Sequence, residues 1–187
     1  MLLILAVAML ATVFLFVWFG KDLPSPTKVA RREGFASRIY DRNGELLYDL
    51  YHDQKRQPVG WDDIPEALKL ATVAVEDKAF YSHKGFDPLT PFRIIKNVFY
   101  FGKITGGSTL TQQLTRNVLL TNERTVIRKI KELILSIQID AKYSKDDILL
   151  MYLNEAPYGG AAWGVGTAAE QYFGKKVNYL NIAESAI

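Results

Sequence analysis

The chain has 187 residues, which is long enough for one domain with a sizeable core, and 49% of them are hydrophobic. It contains no cysteine, which excludes disulfide bonds and thiolate catalysis. The formal net charge of +3 suits work near anionic lipid headgroups or phosphates, and it is too small to indicate nucleic acid as a partner.

The first 20 residues carry no charged side chain. In a helix, about 20 apolar residues cross a bilayer core of about 30 Å. A cleavable signal peptide is the alternative, but this apolar run is longer than is usual for one and no basic residue precedes it. We therefore predict a transmembrane anchor at residues 1–20, followed at residues 21–35 by a basic linker with Lys28, Arg31 and Arg32.

The dipeptide Asn43-Gly44 lies between two stretches that can form strands. Asn-Gly is the strongest short signal for a β-hairpin. We predict a small β element at residues 36–61, built around a hairpin at this dipeptide.

The pattern of residues 63–75 predicts a helix, with Asp63 as its N-cap and Pro65 in its first turn. Its apolar side chains recur at three- and four-residue steps. The buried side of this helix is therefore expected to carry Leu68, Ala71 and Val75.

Two adjacent carboxylates, Glu76 and Asp77, follow at the C-terminal end of this helix. The helix dipole and the neighbouring carboxylate both disfavour the ionised form of a carboxyl group there, which suits a general base. The alternative is that the two side chains merely pair with Lys78 or Lys84 on a solvated helix end. The rest of the chain decides between these interpretations.

A helix with an unusually aromatic side is predicted over residues 90–101. This side belongs either to the core or to a segment that dips into the bilayer surface. Next comes a glycine-rich turn from which Ser108 is expected to cap another helix. Its core side is expected to carry Leu110 and Leu114, and its polar side, suited to a sugar-phosphate, Thr109, Gln113 and Arg116.

The following helix is predicted over residues 122–142. Its polar side places several cations around Glu132, which is more than an Arg128–Glu132 ion pair needs, so we expect an anionic partner. The cations are Arg124, Arg128, Lys129 and Lys131. The buried stripe is expected to contain Val126, Ile127, Ile130, Leu133, Ile134 and Ile137.

Three more helices are predicted, over residues 145–154 with Ser144 as the cap, over residues 164–173 with Gly174 as the stop, and from Asn181 onwards. Together these helices predict a mainly α domain over residues 62–187. Because the last helix runs to the end of the sequence, we expect the domain to continue beyond residue 187.

Four ordered stretches, residues 76–85, 107–117, 128–132 and 145–154, resemble the motifs of the peptidoglycan glycosyltransferase domain of class A penicillin-binding proteins and monofunctional transglycosylases. The resemblance implies a lysozyme-like, mainly helical fold behind one N-terminal transmembrane helix. It also implies polymerisation of lipid II into glycan strands on the extracytoplasmic side of the bacterial cytoplasmic membrane, as a single-pass protein.

The resemblance assigns Glu76 as the base on the acceptor 4-hydroxyl and Glu132 as a second essential carboxylate. The sequence departs from the family pattern at two positions. Arg116 stands where the family more often has Lys, and Leu150 stands where the family usually has Glu, so Leu150 is left out of the site. The matching positions that shape the site and hold the donor phosphates are Asp77, Phe80, His83, Ser108, Thr109, Gln113, Arg116, Arg128 and Lys129.

The sequence requires no cofactor, and a divalent cation such as Mg²⁺ or Mn²⁺ at the diphosphate stays open. The expected partners are lipid II, the growing glycan strand, the cytoplasmic membrane and other cell-wall synthesis proteins, and no nucleic acid. Two rivals remain: a membrane-anchored lysozyme-like hydrolase or lytic transglycosylase, and a non-catalytic cell-wall scaffold. A hydrolase must protonate a poor leaving group and has no need of a cation cluster, so the cluster favours synthesis.

Overall fold

The computed structural model describes residues 18, 20, 23–30, 37–50, 55–90, 92, 100, 107–121, 123 and 125–187. The strands in these residues are β1 (Ser37–Tyr40), β2 (Leu46–Leu50), β3 (Lys55–Arg56) and β4 (Ala162–Trp163). The α-helices are α1 (Glu66–Glu76), α2 (Leu110–Leu119), α3 (Val126–Lys142), α4 (Lys145–Glu155), α5 (Val165–Phe173) and α6 (Ile182–Ser185). Short 3-10 turns occur at Pro26–Val29, Trp61–Asp63 and Val177–Tyr179. The mainly α class is therefore confirmed.

Strands β1 and β2 form the predicted antiparallel hairpin, in which Ser37 lies opposite Leu50. The Asp41 carboxylate accepts hydrogen bonds from the backbone N–H groups of Asn43 and Glu45, each at 2.8 Å. Gly44 supplies the positive φ of the turn, at +85°. The hairpin prediction is thus confirmed.

The core lies where α2 packs against α3 and α4. Apolar side chains from all three helices meet there, fully shielded from solvent: Leu110, Leu114, Ile139, Ile148, Leu149 and Leu153. The burial predicted for Leu110 and Leu114 is confirmed. Helix α2 is therefore the central element, and the candidate site is built on its polar side.

Helix α1 begins two residues later than predicted, since its N-cap is Pro65 and not Asp63. The Asp63 carboxylate accepts the Gly60 N–H at 3.2 Å and so caps the short 3-10 turn that precedes the helix. The expectation that Val75 is buried is wrong, because its exposed fraction is 77%. In α2 the cap is Thr109 and not Ser108, since the Thr109 hydroxyl accepts the backbone N–H of Gln112 at 3.2 Å.

Helix α3 begins at Val126 and not at residue 122, and its predicted buried stripe is wrong in the first turn. Val126 and Ile127 are exposed. The buried side follows the helical steps of Glu132, Leu135, Ser136 and Ile139. Ile134 of the predicted stripe is buried as predicted, with 1% exposed. Two polar residues also occupy the buried side, and a pattern read from apolar residues alone does not include them.

Helices α4 and α5 confirm two of the last three predictions, and α6 begins where the third predicts but does not run to the end of the sequence. The Ser144 hydroxyl caps α4, and Gly174 ends α5 with a left-handed φ of +63°. Asn181 caps α6, which ends at Ser185. The bond from the Lys175 ammonium, at 2.7 Å, and the Asn181 N–H hold the pKa of Glu184 below its ordinary value of 4.5.

A buried ion pair fastens β3 to the end of α4. The Arg56 guanidinium lies 3.1 Å from a Glu155 carboxylate oxygen, and both side chains are less than 10% exposed. The same guanidinium lies 5.3 Å from the centre of the Trp163 ring in the neighbouring strand β4. These contacts join residues about 100 positions apart in the chain.

The predicted anchor at residues 1–20 lies almost wholly outside the described residues, as do Arg31 and Arg32 of the linker and most of the helix predicted over residues 90–101. Among the helices that the structure describes, none has the length and apolar character needed to cross a membrane. The predicted domain boundaries stay predictions.

Candidate active site

Glu76 is the last residue of α1, and its side chain is exposed. The Gln113 amide nitrogen, on α2, donates to Glu76 Oε2 at 2.8 Å. A cavity of about 290 Å³ lies beside this pair, and its lining includes Glu76, Thr72, Val75, Tyr152, Pro157 and Tyr158. The predicted base therefore faces an open space and is oriented by a neighbouring helix.

The loop after Glu76 is held by buried polar contacts. Asp77 Oδ2 accepts the backbone N–H of Leu110 at 3.1 Å and lies 2.9 Å from His83 Nε2. Phe80 is completely buried, with its ring edge-on to His83. The burial of Asp77, Phe80 and His83 means that these three residues fix the loop against the start of α2.

Gly85 joins the same loop to α3. Its φ is +74°, and a Cβ added there would lie 2.3 Å from the Ser136 carbonyl oxygen. The Thr109 hydroxyl donates to the Gly85 carbonyl at 2.8 Å, so the cap of α2 and the loop after Glu76 are directly bonded. Gly85 is required for this close approach.

The second predicted carboxylate, Glu132, is 1% exposed. Arg128 Nη1 donates to its Oε2 at 2.6 Å, and the Lys129 ammonium donates to its Oε1. The Lys129 ammonium also donates to the Ser108 hydroxyl at 2.8 Å and reaches Gln112 Oε1 at 3.5 Å. Glu132 thus holds two cations in place, and Lys129, about half exposed, spans from α3 to the start of α2.

The structure therefore brings the predicted residues together in two groups, each of which contacts α2. In the first group, Glu76 contacts Gln113. The second group consists of Glu132, Arg128 and Lys129, and its Lys129 contacts Gln112 and the adjoining Ser108. Of the other predicted cations, Arg124 lies outside the described residues. Leu150, which stands where the family usually has Glu, is partly buried and packs against the core.

Tyr152 is a site residue that the sequence interpretation missed. Its hydroxyl lies 3.4 Å from Gln113 Oε1. Burial raises the pKa of Tyr152 to about 12, with a further contribution from the Glu76 charge, while the Arg116 charge acts in the opposite direction. A tyrosine between core leucines is typical of packing, and only its place in the fourth motif could have drawn attention to it.

A second tyrosine, Tyr158, lines the same cavity. Burial raises its pKa, and the nearby Tyr152 and Glu76 add to the shift. Both tyrosines therefore keep their protons throughout the range in which proteins work, and they present neutral hydroxyl groups beside Glu76.

The described residues contain no group of three or more acidic or histidine side chains arranged for a metal ion. Both oxygens of Glu132 are bonded to cationic side chains. Since two positively charged side chains already contact Glu132 and repel a divalent cation, Glu132 as it stands does not fit one.

The sequence model of the transglycosylase family matches residues 43–187, and the chain belongs to that family. The chain is 41% identical over 153 residues to penicillin-binding protein 1F of Bacillus subtilis. That alignment covers 81% of this chain and 21% of the relative. Identity to penicillin-binding protein 1A is 42% over 178 residues for Rickettsia bellii and 45% over 151 residues for Escherichia coli. These alignments cover 92% and 80% of this chain, and 22% and 18% of the respective relatives.

The chain thus spans about a fifth of the length of the curated relatives that it matches. The predicted resemblance to the glycosyltransferase domain of class A penicillin-binding proteins is confirmed.

Proposed function

We propose that this domain is a peptidoglycan glycosyltransferase that polymerises lipid II into glycan strands, with inversion at the anomeric carbon and loss of undecaprenyl diphosphate. One observation carries the proposal: an exposed carboxylate, Glu76, bonds to Gln113 of α2, and a lysine held by a buried carboxylate, Lys129 on Glu132, bonds to Ser108 at the start of the same helix. This arrangement supplies a base and a cationic site within one domain.

Glu76 acts as the general base. Gln113 donates to its Oε2, so Oε1 can accept the proton from the 4-hydroxyl of the incoming sugar. Such a proton transfer typically accelerates a reaction by about 10² to 10⁴. The cavity beside Glu76 is the place for the acceptor sugar.

The cations stabilise the leaving group. A diphosphate is already a weak base, so its departure needs positive charge more than it needs a proton donor. Lys129, Arg128 and the Ser108 hydroxyl supply charge and hydrogen bonds to the phosphates, and Arg116 adds a further cation. Glu132 stays buried beneath Lys129 and Arg128 and fixes the position of both.

We further propose the lysozyme-like version of the helical fold, with residues 1–20 anchoring the domain on the extracytoplasmic side of the bacterial cytoplasmic membrane. The partners are then the lipid-linked substrate, the growing strand and other wall-synthesis proteins. No step is assigned to a divalent cation, because Arg128 and Lys129 already place two positive charges at Glu132.

The hydrolase rival is tested by the direction of the reaction. Purified protein in detergent is incubated with labelled lipid II, with and without EDTA, and separately with preformed uncrosslinked glycan. We expect polymer bands from lipid II and no shortening of the glycan. Cleavage of the glycan without polymerisation would reject the proposal in favour of the hydrolase, and no reaction on either substrate would favour the scaffold.

A further inference from the structure

A chain of two hydrogen bonds leads from the hydrophobic core to the base. Tyr152 on α4 is 7% exposed, and its hydroxyl contacts Gln113 Oε1 at 3.4 Å. Gln113 Nε2 contacts Glu76 Oε2 at 2.8 Å. The mechanism above uses Glu76 and leaves the tyrosine without a role.

The chemistry of the amide fixes the direction of this chain. A carboxylate only accepts hydrogen bonds, so the Gln113 amide must present its nitrogen to Glu76. Its oxygen then points the other way, where it needs a donor. Rotation of the amide by 180° would place an oxygen against a carboxylate oxygen and lose the bond to Glu76.

We propose that Tyr152 is a positioning residue for the glycosyl transfer, because its hydroxyl holds the Gln113 amide in the orientation that donates to Glu76. This inference rests on the proposed function, in which Glu76 is the base. Tyr152 acts through Gln113 and does not touch the reacting atoms. Its effect is to keep one Glu76 oxygen occupied and the other directed at the acceptor hydroxyl.

One further observation supports this role. Burial raises the pKa of Tyr152 to about 12, so the hydroxyl remains a donor at every pH at which the domain could work. The 3.4 Å separation is longer than the roughly 2.5–3.0 Å usual for a hydroxyl donor. Hydrogen bonds in catalytic sites are often long before substrate binds and shorten in the reactive complex.

The test is a double-mutant cycle on lipid II polymerisation with Tyr152→Phe, Gln113→Ala and the double variant. One hydrogen bond typically contributes about 0.5–1.5 kcal/mol, so we expect Tyr152→Phe to lower kcat by about two- to tenfold with KM little changed. Tyr152→Phe should cause no additional loss in the Gln113→Ala background, because the tyrosine acts only through the amide. Tyr143→Phe, which alters a partly buried tyrosine beside the same core, is the control and should leave kcat unchanged.

The unfolding midpoint of each variant is measured first, and rates are compared at a temperature at which the wild type and all four variants are folded. An unchanged kcat in Tyr152→Phe, or an equal loss in both backgrounds, would overturn the positioning role while leaving Glu76 as the base. Full activity in Glu76→Gln would instead overturn the proposed function, so the two failures are distinguishable.

Discussion

Gly85→Ala tests the junction that fixes the loop after Glu76 against α3. Alanine at this position must adopt the left-handed φ of +74°, and its Cβ would lie 2.3 Å from the Ser136 carbonyl oxygen and 2.7 Å from the Ser136 carbonyl carbon. Both atoms belong to the backbone of a helix, so no side-chain rotation can relieve the overlap.

The expected loss has two parts. A left-handed conformation costs an alanine about 1–2 kcal/mol relative to glycine. Forcing packed backbone apart adds about 1–3 kcal/mol, as for an overpacked core. The free energy of unfolding should therefore fall by about 2–5 kcal/mol, which is a large share of the 5–15 kcal/mol typical of a domain.

Gly174→Ala is the matched control. Gly174 also has a left-handed φ, at +63°, but a Cβ there would meet no atom within 4 Å. Only the conformational part applies, so we expect a loss of about 1–2 kcal/mol. Urea unfolding of the two variants and the wild type measures the difference. Equal losses at the two glycines would refute the close approach of the loop to α3.

Three further predictions concern charges. Lys129→Ala should lower the polymerisation rate by about 10²-fold, as the loss of one preorganised hydrogen-bond donor does in other enzymes. The control Lys176→Ala, at an exposed turn, should leave the rate unchanged. A loss below threefold in Lys129→Ala would contradict the role of Lys129 at the diphosphate. Arg56→Met should lower the free energy of unfolding, measured in urea, by about 3–5 kcal/mol, because the charge of Glu155 stays buried without this partner. Adding Glu155→Leu should restore part of the lost stability. A double variant as unstable as Arg56→Met would contradict the role of the buried ion pair. Glu184→Gln should lower the unfolding temperature at neutral pH. The difference in unfolding temperature between this variant and the wild type should vanish as the pH falls below 4.5 and through the lowered pKa of Glu184, because the carboxyl group then becomes neutral. A difference that persists in acid would contradict the ionic role of Glu184.

Local signals predicted the elements of the fold well. The Asn43-Gly44 hairpin and the helices around the site occur as predicted, because turn chemistry, capping residues and helical periodicity act over a few residues. The predicted capping residues of two helices differ from those in the structure. Asp63 and Ser108 are both good caps by residue type, but Asp63 caps a 3-10 turn and Thr109 takes the cap of α2.

Long-range contacts set the rest of the site. Glu132 is buried on the core side of α3 because two cations neutralise it, and hydrophobic periodicity cannot register a buried ion pair. The bonds from Tyr152 to Gln113 and from Gln113 to Glu76 each join residues 37 or more positions apart. Which side chains form these bonds depends on how the helices pack against each other, and a local sequence pattern does not predict that packing.

The assignment of Glu76 as the base is tested most directly by the polymerisation rate of Glu76→Gln on purified lipid II. Glu66→Gln is the control, because Glu66 begins the same helix and its side chain is 73% exposed. Glutamine keeps the size of the side chain and removes its basicity, so the rate should fall by about 10²-fold or more, with an unchanged unfolding temperature. A Glu76→Gln variant that polymerises lipid II as fast as Glu66→Gln would contradict the account.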